Sequence, residues 1–316
     1  VKTTLSHHRL LIVLVRCNEP LGHVTQQLRA AALPYLIYQK VAGICNSRPL
    51  PPAEAAHARM IPFNLGRECI GYLQFMSEQY NSLPRMTAFL QWGAEMHMPL
   101  RGHGLPSNLL FLLNSTKGYV GLSKNSFEGA WPAPCEPQAM RAAFASCHHR
   151  YWREAVSGGE LAGQPPPATI RFYANGIFAA SSERIRAHPR SFYSRLLARF
   201  SGATALRCVD GGSNRAFHPV NASGVLKAEV DCLVLEKLWH VIFGEEPLLP
   251  NATAYNREVR FPPGYLEQIG RQPRQGIRTP RRATAHHHPA PLASHQTCAP
   301  ECDWARRCWK ASPILH

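Results

Sequence analysis

Arg9-Leu-Leu-Ile-Val-Leu-Val-Arg16 is the stretch on which the fold turns. Its apolar residues run between two arginines without alternating with polar ones, so both faces of the strand they form call for burial. Strands of this kind sit at the centre of mostly parallel sheets, where crossover helices cover both faces. The run is also far shorter than the roughly 18 to 20 apolar residues that cross a bilayer, and no longer run exists, so no membrane span is expected.

The same logic extends outward from this strand. A helix over His23–Ala32 and a strand over Pro34–Tyr38 complete a βαβ start with a right-handed crossover. Cys69, Tyr72, Leu73, Met76 and Tyr80 fall at helical spacing and predict a helix over Asn64–Tyr80, with Asn64 as N-cap. Met86–Gln91 reads as another buried strand. From Trp92 to Gln164 glycine and proline break the periodicity, apart from a helical stretch over Met140–Val156. Thr169–Tyr173 and Gly176–Ala180 then read as a strand or hairpin pair. Ser181 or Ser182 caps a short helix, Pro189–Phe200 is an amphipathic helix, and Leu226–Phe243 is a long one ending at Gly244. The expected fold class is α/β, a mostly parallel central sheet flanked by helices. One domain is expected over residues 9–250, and a disordered Pro-, Arg- and His-rich tail over 251–316.

Composition narrows the function classes. The chain has 316 residues and a formal charge of +15. Residues 271–316 hold eight of the basic residues against Glu301 and Asp303, which leaves 27 basic and 18 acidic residues spread thinly over the rest. With no aromatic RNA-binding signature, zinc-finger spacing or basic helix leading into heptads, nucleic acid is not an expected partner. The ten cysteines form no CxxC pair, and the seven ahead of the tail read as small core hydrophobes. The tail's Cys298, Cys302, Cys308 and His286–His288 match no paired zinc-ligand spacing. Three Asn-x-Ser/Thr sequons, at Asn114, Asn221 and Asn251, suit a luminal or secreted protein. A signal or anchor ahead of Val1 would place the chain in the secretory pathway or Golgi lumen; the compartment is otherwise open.

Three blocks, in order, carry a resemblance. The first is Leu14-Val-Arg-Cys-Asn-Glu19. The second is Asn64-Leu-Gly-Arg-Glu68 with Tyr72-Leu73, Tyr80, Leu83-Pro84 and Phe89-Leu-Gln91. The third joins Gly176–Ile185, Pro189 and Phe192-Tyr193 to Glu236–Gly244. Together they resemble domain-of-unknown-function family 3431, found chiefly in fungi and algae. Their order is also similar to that of the glycosyltransferase A fold, a Rossmann-like α/β fold. That resemblance implies a nucleotide-sugar donor bound at the carboxyl ends of the strands and transfer to a glycan or other hydroxyl acceptor. It implies donor-binding roles for Arg16, Asn18, Glu19, Asn64, Gly66, Arg67, Glu68, Gln91 and Gly176.

The chemistry departs from that pattern at the metal. Such transfer commonly uses an Asp-x-Asp motif, but Asp210, Asp231 and Asp303 are the chain's three aspartates, so none exists. Two substitutes are open. Glu95-Met-His97, if extended, would point carboxylate and imidazole at one Mn²⁺ or Mg²⁺ ion. Alternatively Arg67, at the expected helix start beside Gly66, would receive the diphosphate without metal. Glu236 is the candidate general base, with His240 one turn along the same helix. A catalytically inactive carbohydrate- or protein-binding module is the alternative reading.

Overall fold

The computed structural model describes residues 5–41, 45, 49–62, 67–100, 102–130, 149, 151–153, 163–201 and 225–271. Its centre is β1, Leu10–Arg16, buried at every position. On one side β1 pairs in parallel with β2, Tyr35–Lys40, and β2 with β3, Ala58–Ile61. On the other it pairs in parallel with β4, Met86–Gln91. The sheet continues through β8, Phe178–Ser181, antiparallel to β4, and ends at β5, Tyr119–Gly121. The order β3-β2-β1-β4-β8-β5 makes the six-stranded sheet mostly parallel, as the unbroken apolar run requires.

The second strand runs two residues beyond its expected end and so brings in Lys40. The pair expected at 169–180 is not a hairpin. Strand β7, Thr169–Tyr173, joins β6, Ser126–Ala130, in a separate two-stranded sheet, while β8 joins the main one. The cause is the turn between them, where Asn175 and Gly176 take left-handed φ values of 69° and 56° and redirect the chain.

The helices expected at His23, Asn64, Ser181, Pro189 and Leu226 form with shifted ends. The described helices are α1 Gly22–Ala30, α2 Pro52–Ala55, α3 Cys69–Glu78, α4 Gly104–Ser107, α5 Ser182–Arg186, α6 Arg190–Ser201, α7 Val225–Ile242, α8 Ala252–Tyr255 and α9 Tyr265–Gly270; the four short ones α2, α4, α8 and α9 were not expected. Helix α3 starts at Cys69 because Arg67, with φ 48°, cannot lie on a helical path; Asn64, the expected cap, lies outside the described residues. Ser181 does cap α5, its Oγ accepting from Arg184 N–H at 3.2 Å. Gly244, φ 77°, ends α7 as read from sequence. Most of the helix expected over Met140–Val156 lies outside the described residues. Ordered chain continues past Pro250, because Tyr255, Arg260 and Phe261 are buried. The expected tail from 272 onward lies outside the described residues.

Helix α3 carries the core. It buries Tyr72, Phe75 and Met76, and Tyr72 meets Phe89 of β4, Phe178 of β8 and Trp239 of α7 at ring-centroid distances of 5.2, 5.8 and 6.4 Å. Close approach of α3 to the sheet depends on Gly71. A Cβ there would lie 2.4 Å from Val15 Cγ2 and 3.2 Å from Tyr38 Cβ. Gly71→Ala is therefore expected to cost about 1–3 kcal/mol through overpacking. Urea unfolding checks this: the midpoint falls with an unchanged slope, and an unshifted midpoint would show that α3 has room to move.

Candidate functional site

The chain from β1 runs to one side of the sheet and the chain entering β4 returns on the other, so the topology switches between these two strands. Loops leaving their carboxyl ends diverge there, and an open α/β sheet has its crevice at that point. The structure has a cleft of about 230 Å³ in this place. It is lined by Val15, Arg16 and Cys17 from β1 and its exit, Glu19, Lys40 at the end of β2, Arg67 and Glu68 ahead of α3, and Gln91 and Trp92 from β4. Five of the expected donor-binding residues, Arg16, Glu19, Arg67, Glu68 and Gln91, thus meet in one cavity. Three cations face two carboxylates, which suits an anionic ligand.

The β1 exit is a built turn. Arg16 is buried; its Nε donates to Glu19 O at 2.6 Å and its guanidinium also reaches Gln39 Oε1. The Glu19 carboxylate accepts from Cys17 N–H at 2.6 Å, so part of its role is to hold the turn. Gln39 Nε2 ties the turn to the next loop through Cys17 O and Cys45 O, and a Cys17–Cys45 disulfide locks it. Asn18 Oδ1 is buried with no partner among the described residues. A polar atom left so beside a cleft is a cost that a bound donor would remove.

Behind the cleft a second carboxylate adjoins Glu68. Glu236 Oε1 accepts from the backbone N–H of Asn175, and Gly176 fits between the two acids: a Cβ on it would lie 3.1 Å from Glu68 Oε1 and 3.8 Å from Glu236 Cγ. Burial first, and the Glu68 carboxylate second, push Glu236 up to about 7; the Asn175 N–H, Arg67 and Lys237 act the other way. Glu236 keeps some surface as a residue, but its carboxyl lies deep. Arg67 stands 3.8 Å from Glu68 Oε2, so part of its charge is answered inside the protein. Arg67 and Asn175 are two of only three non-glycine residues with positive φ among those described. Such backbone strain concentrates at functional sites.

Other expected residues fall elsewhere. His240 is in the core, its Nε2 donating to Pro247 O at 3.2 Å, and burial lowers it to about 4, so it stays neutral and structural. Glu95 and His97 are not among the residues that line the cleft. Ala94–His97 is a 3₁₀ turn with about three residues per turn, which points residues two apart in different directions, whereas an extended chain would align them. Glu95 Oε2 takes Gln27 Nε2 at 3.3 Å instead. Asn64 and Gly66 lie outside the described residues. Sequence reading missed Lys40 and Trp92; a cation ending a buried strand was the available signal for the first.

The cysteines also differ from expectation. The four described ones form two disulfides, Cys17–Cys45 and Cys69–Cys232, where core thiols were expected. Among the described residues the one cluster with three metal-ligand atoms is Glu68, Cys69 and Cys232, and its sulfurs are bonded to each other, so it has no thiolate to offer a metal.

No curated protein and no solved structure matches the chain. The family model described as "Protein of unknown function (DUF3431)" covers residues 45–255, which include the second and third sequence blocks, Glu68, Gly176 and Glu236. By that match the chain belongs to the DUF3431 family.

Proposed function

We propose that this protein binds a sugar nucleotide in the switch-point cleft and transfers the sugar to a hydroxyl acceptor. The observation that carries the reading is the position and charge of the cleft: Arg16, Lys40 and Arg67 gather at the carboxyl ends of β1 and β2 and ahead of α3, with Trp92 at the β4 end. Lys40 and Arg67 would meet the diphosphate as charge-assisted donors, and the Trp92 ring gives a face for a base or sugar. Of the two acids that line the cleft, Glu19 holds the β1 turn and Glu68 is the one next to Glu236. It takes over from Glu236 the expected role of accepting the acceptor's proton, with Glu236 behind it as a positioning residue.

The placement of Glu95 and His97 outside the cleft lining, in a chain without an Asp-x-Asp motif, favours a second reading, a module that binds the same ligand without turning it over. Thermal unfolding with UDP-glucose, UDP-N-acetylglucosamine or GDP-mannose, each with and without Mn²⁺, tests the shared part. A ligand that binds only the folded state raises the midpoint, and no shift with any donor sinks both readings. Release of nucleoside diphosphate on adding acceptor glycans separates transfer from binding. Lys40→Met, which keeps the stem and removes the charge, is expected to weaken the bound donor roughly tenfold to a hundredfold, the range for a lost charged hydrogen bond. Titration calorimetry reads this, and an unchanged Kd would take Lys40 out of the site.

A further inference from the structure

We infer that the chain matures in an oxidising secretory compartment and carries an N-linked glycan on Asn114. Two independent observations meet here. Both disulfides join distant segments, over sequence separations of 28 and 163 residues. Such bonds form and persist in oxidising compartments and are rare where thiols are kept reduced. N-linked glycans are added in the same compartment, and they need an Asn-x-Ser/Thr sequon on an accessible loop.

Asn114-Ser115-Thr116 meets that need. Asn114 is exposed, just after the 3₁₀ turn Leu110–Leu113 and ahead of β5. Its Oδ1 accepts from the Arg9 guanidinium at 2.9 Å, and its Nδ2, the atom that would be glycosylated, has no partner among the described residues. The loop is held firmly: Arg85 donates to Ser115 O at 3.1 Å and to Leu112 O at 3.3 Å. Arg9 and Arg85 stand immediately before β1 and β4, so Asn114 lies at the amino ends of these strands. The cleft lies at their carboxyl ends, roughly 20 Å away along a seven-residue strand. A glycan at Asn114 therefore leaves the cleft open. Asn251 is exposed too, but its sequon, Asn251–Thr253, is the capped first turn of a helix and not a loop, so the inference rests on Asn114.

The modification is a group transfer from a lipid-diphosphate oligosaccharide. The sugar C1–O bond to the diphosphate breaks, a C1–N bond to Asn114 Nδ2 forms, one amide proton is released, and the lipid diphosphate leaves.

The test uses the full chain, tagged in the cells that make it and purified without reductant. Peptide N-glycosidase treatment in heavy-oxygen water followed by peptide mapping is expected to return position 114 as oxygen-labelled Asp. Asn114→Gln removes that glycan. Non-reducing maps are expected to show Cys17 linked to Cys45 and Cys69 linked to Cys232. An unmodified Asn114 overturns the glycan, whether or not the disulfides are present. Free thiols at the four cysteines overturn the compartment.

Discussion

Cys69→Ala with Cys232→Ala is expected to lower the unfolding free energy by about 5 kcal/mol. The bond closes a loop of 163 residues, and the chain-entropy treatment of so long a loop gives about 5 kcal/mol, the upper end of what native disulfides supply. Both residues are buried, so loss of their sulfurs adds to the cost. Alanine avoids burying a new hydroxyl. In a domain of this size the change corresponds to a fall of roughly 10 °C in Tm. Urea unfolding of the double variant, beside the wild type with and without dithiothreitol, measures it. Coincident curves for all three would mean that α3 and α7 are held by packing alone.

The bond also sets the geometry of the cleft. Cys69 follows Glu68 directly, and Cys232 lies one turn before Glu236, so the disulfide fixes how the two carboxylates approach. Without it, α7 is free to move away and the elevation of Glu236 should shrink.

Glu236→Gln is expected to make the protein more stable than the wild type by about 3 kcal/mol at pH 8, with the difference vanishing below about pH 4. The sign follows from the raised acid. The unfolded carboxyl titrates near its ordinary 4.5, the folded one near 7. Below 4.5 both states are protonated and ionisation costs the fold nothing. Between 4.5 and 7 the unfolded chain sheds its proton while the folded chain keeps it, so wild-type stability falls as pH rises. Above 7 the folded form ionises too and the loss is complete. Glutamine keeps the oxygen that accepts from Asn175 N–H and has no such proton, so its curve lacks this slope. Denaturant midpoints of both proteins across pH 4–8 provide the measurement, and parallel curves would show that Glu236 ionises as freely folded as unfolded.

How much of this was legible in the chain depends on the range of the interaction concerned. An unbroken apolar run such as Leu10–Val15 has one good solution, burial on both faces of a parallel sheet. Sequence thus determined β1, β4 and the longer flanking helices, while the resemblance to a known fold, not the apolar pattern, grouped Arg16, Glu19, Arg67, Glu68 and Gln91, which the cleft brings together. Helix ends were less legible where single residues left the helical region, as Arg67 did at the start of α3.

Tertiary structure alone decided the rest. Lys40 entered the cleft because pairing with β1 and β3 carried β2 two residues further. The Glu95–His97 backbone coiled into a 3₁₀ turn where an extended chain was expected, a choice set by surroundings that local pattern does not encode. His240 and Glu236 are one turn apart, yet packing gave one a core hydrogen bond and the other a carboxylate neighbour from the segment ahead of α3. The Cys69–Cys232 bond and the Glu68–Glu236 pair join segments more than a hundred and sixty residues apart. Periodicity records which face of each element is buried, and only the packing of elements against one another determines which buried faces meet.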